Sequence, residues 1–548
     1  MGIGAMILGS IALLGAGYKG MQRSIEDLLP PEPGRITPAV ALRDDQDFVP
    51  SDRPVVLGHY FMSIAGLSPI ISAILGLYWG WLPALIWLIV GVTLLGTVTE
   101  YYHIMLSLRN KGQTIGELVV NKIGNATGRY FEIVLIFFGA ITFAIMGVTM
   151  ADTLAKIPTA VIPTLILIPL ALCFGLLRRK GWPLVSTAAL CLVIWALSIF
   201  LGQAYPIKWT KEGWFLVMTI YTFFATYVPV WALLQPRDYL NSFVLVAGLS
   251  IAIIALVVGS PAIKLPAWVS WESARGPLFP AIFITVSCGA VNAMHAMMSA
   301  GMAARQVSSE KDAYPIVGLG VRGETVMALT AMALIITKFD YTAFTTEVVK
   351  AVGPTYSAAF GTALTYIGLP EIVGITFGAL TLSAFVMTTM DSYARAARYT
   401  LQEFAESSPA LKGLTLNKRL TSTVVVTVLA YLLGTYTPFM SLWAGFVAMS
   451  LYVLIYSYGL ALIDRLESRR PFDTKYWIYV VIPGALMTAT IVYTVFYFTY
   501  RYYAAQQWIA FTILLGLIVL MVLTFVQIGQ KLSKLMASAQ APAQQSTR

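Results

Sequence analysis

Charge is what this sequence has least of. Asp, Glu, Lys and Arg make up 11% of its 548 residues, against roughly 25% in soluble domains. So few charges cannot cover a water-exposed surface, which excludes a soluble protein. Histidine and cysteine are scarce too, three of each. Cys173, Cys191 and Cys288 sit in apolar runs, are odd in number and never take metal-ligand spacing. That excludes a disulfide framework and a cysteine-built metal centre, and leaves small buried hydrophobes. Nucleotide-binding loops, kinase signatures and nucleophile–base sets are missing, so no enzyme and no cofactor is expected. The first apolar run, MGIGAMILGSIALLGAGYKG, has no basic residue before Lys19. It lacks the positive region of a secretory signal and reads as a retained helix. Met6 stands where myristoylation requires Ser or Thr.

What the chain has in excess is apolar length. Hydrophobic residues reach 58% and mean hydropathy is +0.76. The fold class is therefore an all-α polytopic membrane protein in a lipid bilayer. A span needs about 20 apolar residues. Fifteen segments qualify: 3–19, 54–79, 82–108, 128–149, 159–178, 183–203, 212–235, 240–262, 279–300, 316–337, 370–390, 419–437, 441–463, 476–499 and 506–530. Residues 341–368 read as an outer loop or a short re-entrant piece. With fifteen spans, 28 Lys/Arg fall on one side and 8 on the other. The positive-inside rule then puts the N-terminus out and the C-terminus in. The net charge of +10 reads as basic loops beside anionic lipid, not as a nucleic-acid surface.

Between the spans, residues 25–54 are Pro-rich and mixed in charge, as a linker or lid at the cytoplasmic mouth would be. Residues 1–53 thus hold the first helix and that linker. DSYARAARYTLQEF (391–404) has the spacing of a helix lying at the inner interface, within a segment reaching 418. Four further spans fill 419–530, and the Ala/Gln-rich tail 531–548 is expected to be disordered.

Ionisable residues inside spans are expensive and mark function by default. They are His59, Glu100, His103, Asp152, His295 and Glu324, with Asp391 at a helix end. Topology puts all of the first six except Asp152 in the inner half of the membrane. That suits a proton or cation path, or an inner gate of ion pairs. Static pairing, such as Glu324 with Arg322 or Glu100 with a tyrosine, is the alternative.

Three stretches resist a simple helix. GHYFMSIAGLSP (58–69) places Gly58, Gly66 and Pro69 around Ser63 and Ser68. YTFFATYVPVWALLQPRDYL (221–240) places Pro229 between Tyr227 and Trp231, before Arg237 and Asp238. VSCGAVNAMHAMMSAG (286–301) carries Asn292 and His295 among small residues that allow close helix contact. Unwound backbone at membrane depth is tolerated where it lines a cavity, and its free carbonyls and half-helix ends can hold an ion or an anionic group. EYYH (100–103) has di-iron Glu-x-x-His spacing, but that site needs two such motifs and this chain has one, so no metal is expected. The first two stretches lie five spans apart, as in a five-plus-five inverted repeat. On that reading the core is 54–390, with repeats of about 54–203 and 212–390.

RITPAVALRDDQDFVP followed by GHYFMSIAGLSP resembles the carbon starvation protein A family, as do PVWALLQPRDYLNSF (229–243), PLFPAIFITVSCGAVNAMHAMMSAG (277–301) and DSYARAARYTLQ (391–402). The blocks follow the family's order over two-thirds of the chain. The resemblance implies an inner-membrane, LeuT-like transporter of the amino acid–polyamine–organocation superfamily. It implies peptide uptake during carbon starvation, or proton-coupled pyruvate uptake as in a close branch. The matching positions are His59, Gly66, Pro69, Pro229, Arg237, Asp238, Asp391, Arg395 and Arg398, with the Asn/His-type positions of the ninth span. The chain departs at Tyr60, where many members have histidine, at Leu67–Ser68, and at Met302–Arg305.

The sequence thus points to a secondary transporter of short peptides or a small carboxylate, bound at the midplane between spans two and seven. Ser63, Gly66, Ser68, Tyr227, Pro229, Trp231 and Asn292 are the expected substrate-site residues. His59, Glu100, His103, His295, Glu324, Arg237, Asp238 and Asp391 are the expected coupling or gating residues, with H+ the leading coupling ion and Na+ the alternative. A sensor subunit docking a partner through 25–54 and 391–418 is the competing class. Oligomeric state and any small accessory protein are left open.

Overall fold

A computed structural model describes residues 2–291, 295–350, 352–407 and 409–540. Among them, twelve helices are long and apolar enough to span a membrane, and a bent pair makes thirteen. Thirteen of the fifteen expected segments are accounted for this way. The seventh, Lys211–Tyr227, is a helix of 17 residues. The ninth is no continuous helix: Leu278–Thr285 gives way to non-helical backbone before the short helix Ala296–Ser299.

The molecule is organised around two long helices, Asn125–Lys156 and Glu371–Glu406, which pack along each other. Gly139 permits their approach, because a Cβ there would lie 2.7 Å from the Ala397 Cβ. This overturns the expected interfacial helix at 391–404. Those residues continue a single 36-residue helix. No glycine or proline interrupts it after Gly378, and the Tyr393 and Ala397 face is buried against its neighbour rather than lying in the interface. The hairpin Val161–Arg179 and Leu184–Ala204 packs on itself and on the helix Leu234–Gly259. Residues 341–368 form two short helices, Tyr341–Thr346 and Val352–Thr365, the second of which lies along Glu371–Glu406. The final helix runs from Trp508 to Gln540, so the first part of the expected disordered tail is helical, while 541–548 lie outside the described residues.

Residues 27–52 form a strap across one end of the bundle. Val49 N–H donates to Arg305 O, Ser51 N–H to Gln306 O and Val230 N–H to Gln46 O, at 3.0–3.1 Å. At the other end Gly80 turns the chain with φ +105, and a Cβ there would lie 2.4 Å from Ala267 O. Gly80→Ala is expected to lower stability by more than about 1 kcal/mol, since the left-handed backbone and the fixed carbonyl both oppose a side chain. Thermal unfolding in detergent measures it.

Candidate transport site

The first break falls inside GHYFMSIAGLSP. Helix Arg53–Ile64 stops, Ala65 (ψ 63) and Gly66 (ψ −158) leave helical geometry, and a second helix begins at Leu67, bent by 50°. Gly66 is pressed against Thr389, whose Oγ1 would lie 2.7 Å from a Cβ at this position. Pro69 is the third residue of the new helix, where backbone N–H groups have no helical acceptor, so it removes no bond. Ser63 Oγ lies 2.8 Å from Ser392 Oγ, which ties the first half to the long helix. Ser68 Oγ is buried without a partner among the described residues.

The second break is at Val286–Val291, in the ninth segment, and not at Pro229. Ser72 Oγ donates to Cys288 O at 2.6 Å and Thr325 Oγ1 to Gly289 O at 2.6 Å. Gly96 and Gly91 sit directly on Ala290: a Cβ at Gly96 would be 2.4 Å from its carbonyl oxygen. Gly96 ends a π-helical turn, Val92–Gly96, a distortion often found at functional sites. The unwound carbonyls thus receive donors from two other helices, the condition for irregular backbone at membrane depth. Asn292 lies outside the described residues.

The expected pairing of Tyr227, Pro229 and Trp231 with the first break is therefore corrected. Pro229 forces Val228 into extended geometry (ψ 159) and ends the helix at Tyr227. The next helix starts at Leu234. Tyr227 is 41% exposed, and Trp231 Nε1 donates to Asp45 O at 3.1 Å, beneath the strap. Instead, a cavity of about 170 Å³ lies between the two true breaks on one side and the helices Phe439–Glu467, Ile482–Ala504 and Trp508–Gln540 on the other. Ser68 and Ser72 line it from the first break, Ser287 and Cys288 from the second, Trp443 from the helix Phe439–Glu467, and Arg275 also borders it.

Two buried polar networks flank the breaks. In the first, His59 Nδ1 lies 2.5 Å from Asp238 Oδ2. Arg237 Nη2 is 2.5 Å from Asp238 Oδ1, and Arg237 Nη1 also donates to Asp391 and to Tyr221 Oη. Thr222 Oγ1 donates to Asp391 Oδ1 at 2.8 Å. His59, Arg237, Asp238 and Asp391 are all fully buried. Residues of the helices Arg53–Ile64, Leu234–Gly259 and Glu371–Glu406 thus share one ion-pair chain. In the second, Tyr60 Oη donates to Glu100 Oε2 at 2.9 Å, and His103 Nδ1 lies 3.2 Å from Glu100 Oε1. His295 Nε2 is 3.2 Å from Glu324 Oε2, off the hydrogen-bond axis, and Cys288 Sγ is 3.5 Å from Glu324 Oε1. Successive helix residues point about 100° apart, so His59 and Tyr60 each serve one network.

The expected single layer therefore resolves into two. Glu100 takes the tyrosine partner foreseen as the static alternative. Glu324 does not pair with Arg322, which binds Leu14 O, Thr97 Oγ1 and Gly318 O. Asp152 pairs with Lys156 at 2.7 Å in a partly exposed i,i+4 bridge, away from both networks. Where a metal ion could be held, two groups among the described residues have ligand atoms within 4.8 Å of one another: Cys288–His295–Glu324 and Glu117–Glu132–Glu403. The second is already threaded by Arg129, at 3.1 Å from Glu117 and 2.7 Å from Glu132.

Two broken helices meeting at their unwound points, with two long helices packed beside them, define the LeuT-like transporter class of membrane protein. A manganese transporter of Eremococcus coleocola shares the fold at a TM-score of 0.52, 11% identity, and coverage of 89% of this chain and 99% of that one. MhsT in complex with L-phenylalanine does so at 0.50 and 16%, over 86% and 99%. The chain belongs to the carbon starvation protein CstA family, whose model matches residues 4–359. The peptide transporter CstA of Bacillus subtilis is 27% identical over 91% of both chains. The pyruvate/proton symporter BtsT of Escherichia coli is 32% identical over 56% of this chain and 45% of its own length. The E. coli peptide transporter CstA is 31% identical over 56% and 46%. The chain thus spans nine-tenths of the Bacillus relative and about half of each E. coli one.

Proposed function

We propose that the chain is a proton-coupled secondary transporter of a small carboxylate-bearing substrate, a short peptide or a pyruvate-sized acid. The observation that carries it is the cavity beside the two unwound segments, because there half-helix ends and the Ser68, Ser72 and Ser287 hydroxyls border a space a solute can enter. Relatives named for peptides and for pyruvate support the shared chemistry. The cavity, about 170 Å³, is close to one that holds benzene. A pyruvate-sized acid fits it unchanged, whereas a peptide requires it to open toward Arg275.

On this reading each repeat contains a broken helix, a partner helix, a short helical connection, a long helix and a final helix pair. The first runs 53–259, interrupted by the 158–204 hairpin, and the second 278–467. The inserted hairpin is why the breaks fall in spans two and nine and not two and seven. The strap end is the cytoplasmic one, and the membrane is the inner membrane. His59–Asp238 is the proton-carrying pair, because its carboxylate is shared with Arg237 and its histidine sits five residues before the first helix ends at Ile64.

Uptake into proteoliposomes under an imposed pH gradient tests the reading, with pyruvate, dipeptides and amino acids as counterflow substrates. His59→Ala is expected to leave uptake indifferent to the gradient. Gradient-driven uptake that persists in His59→Ala sinks coupling through this pair, and no flux of any substrate sinks transport.

A further inference from the structure

Asp47, at the tip of the strap, is held by more positive charge than it can neutralise. Its Oδ1 accepts from Arg395 Nη1 at 2.9 Å, Arg398 Nη2 at 3.0 Å and Tyr399 Oη at 2.8 Å, with Arg419 Nη2 3.7 Å away. Three guanidiniums face one carboxylate. The nearby Arg305 adds nothing to the surplus, since it is matched by Glu403 at 2.7 Å. Arg395 and Arg398 are 0% and 1% exposed. The Nε–H groups of Arg395, Arg398 and Arg419 are all buried without an acceptor among the described residues.

Surplus buried charge with unmade hydrogen bonds is costly, so a static role must account for it. Part is accounted for. Arg395 Nη2 donates to Ala225 O and Val228 O at 2.6 Å, and Arg419 Nη2 to Val228 O at 2.9 Å, at the carbonyl end of Lys211–Tyr227. Arg398 has no such duty. Apart from Asp47 it donates to Gln402 Oε1 at 2.7 Å and lies over the Tyr399 ring, 4.4 Å from its centroid, so among the described residues it holds no backbone carbonyl. The carboxylate facing it is also a removable one. Asp44 Oδ1 accepts from the backbone N–H groups of Gln46, Asp47 and Phe48 at 2.8–3.0 Å, so the strap tip is a preformed loop that presents Asp47. Arg395 lies one helical turn beyond Asp391, between the buried network and the strap.

We propose that Arg395, Arg398 and Arg419 form a binding site for a free carboxylate anion, which Asp47 fills as a built-in ligand while the strap is closed. An incoming carboxylate exchanges with Asp47 and releases the strap, so the site lies on the route between the transport cavity and the strap face. The proposal rests on the transporter reading only for the source of that carboxylate. Acid is not the release signal. Burial works to raise the Asp47 carboxyl, but Arg398, Arg395, Arg419 and Arg305 outweigh it and hold it well below the usual carboxylate range. A depressed value means that the stabilisation is full above the unfolded carboxylate range and is lost only as pH falls through the folded value. The latch therefore holds between pH 5 and 8.

Hydrogen exchange of the 44–51 amides in the purified full-length protein tests this, with sodium pyruvate, sodium phosphate and sodium chloride at equal ionic strength. Pyruvate is expected to speed exchange across 44–51 and chloride to leave it unchanged. Asp47→Asn is expected to exchange fast without any anion and to bind pyruvate about tenfold more tightly in calorimetry, since no internal ligand competes. Arg398→Gln is expected to lose the strap response while still binding pyruvate in the cavity. Equal pyruvate affinity in wild type and Asp47→Asn, or an unchanged strap response in Arg398→Gln, overturns the proposal. A stronger response to phosphate overturns the carboxylate assignment. A strap response without flux in proteoliposomes sinks the transport reading and leaves this site standing.

Discussion

Arg237→Met is expected to be the most destabilising single replacement in the molecule, at about 3–5 kcal/mol, the usual cost of removing one partner from a buried ion pair. Arg237 is fully buried and is the cation that joins Asp238 to Asp391. His59 remains to serve Asp238 after the change, so the loss falls on Asp391, left with the Thr222 and Tyr221 hydroxyls but no cation. Two further variants separate charge from shape. Arg237→Lys keeps the charge but cannot fork across two carboxylates, and is expected to recover only part of the loss. Arg237→Met combined with Asp391→Asn removes the stranded charge and is expected to recover more. Denaturant or thermal unfolding in detergent ranks them. A single mutant as stable as wild type would mean that the network does not hold Asp391 ionised.

Gly96→Val is expected to reduce uptake by about a hundredfold, the scale set by an ångström of misplacement at a reacting or binding centre. Even a Cβ at Gly96 would meet Ala290 O at 2.4 Å, and the obstacle is backbone rather than a flexible side chain. The segment Val286–Val291 must then move off Ser72 and Thr325, which hold it through Cys288 O and Gly289 O. Initial uptake rates in proteoliposomes carry the result. Gly20→Val supplies the control, because nothing lies within 4 Å of a Cβ there. Comparable loss in both would point to general misfolding.

The break in the first helix was legible because glycine and proline mark it locally. The second was named among three irregular stretches, yet Pro229 outranked it. Proline is the louder signal, but at Pro229 it ends a helix, whereas Val286–Val291 unwinds without proline at all. The faint signal there was the run of small residues around Gly289 and Ala290, whose meaning depends on what packs against them. Asp47 was also missed. It sits in a polar linker among Asp44 and Asp45, and nothing in the linker says that Arg395 and Arg398 wait opposite.

By itself the sequence determined the helical membrane fold, most of the spans and the ionisable residues worth following. Those follow from local physics: about 20 apolar residues cross a bilayer only as a helix, because lipid offers the backbone no partner. Tertiary structure alone decided which breaks meet, which carboxylate each histidine faces and what closes the strap end. Cys288 O takes its hydrogen bond from a residue 216 positions away, and His59 finds Asp238 across 179. Bonds over such separations satisfy groups that local pattern can only mark as unsatisfied.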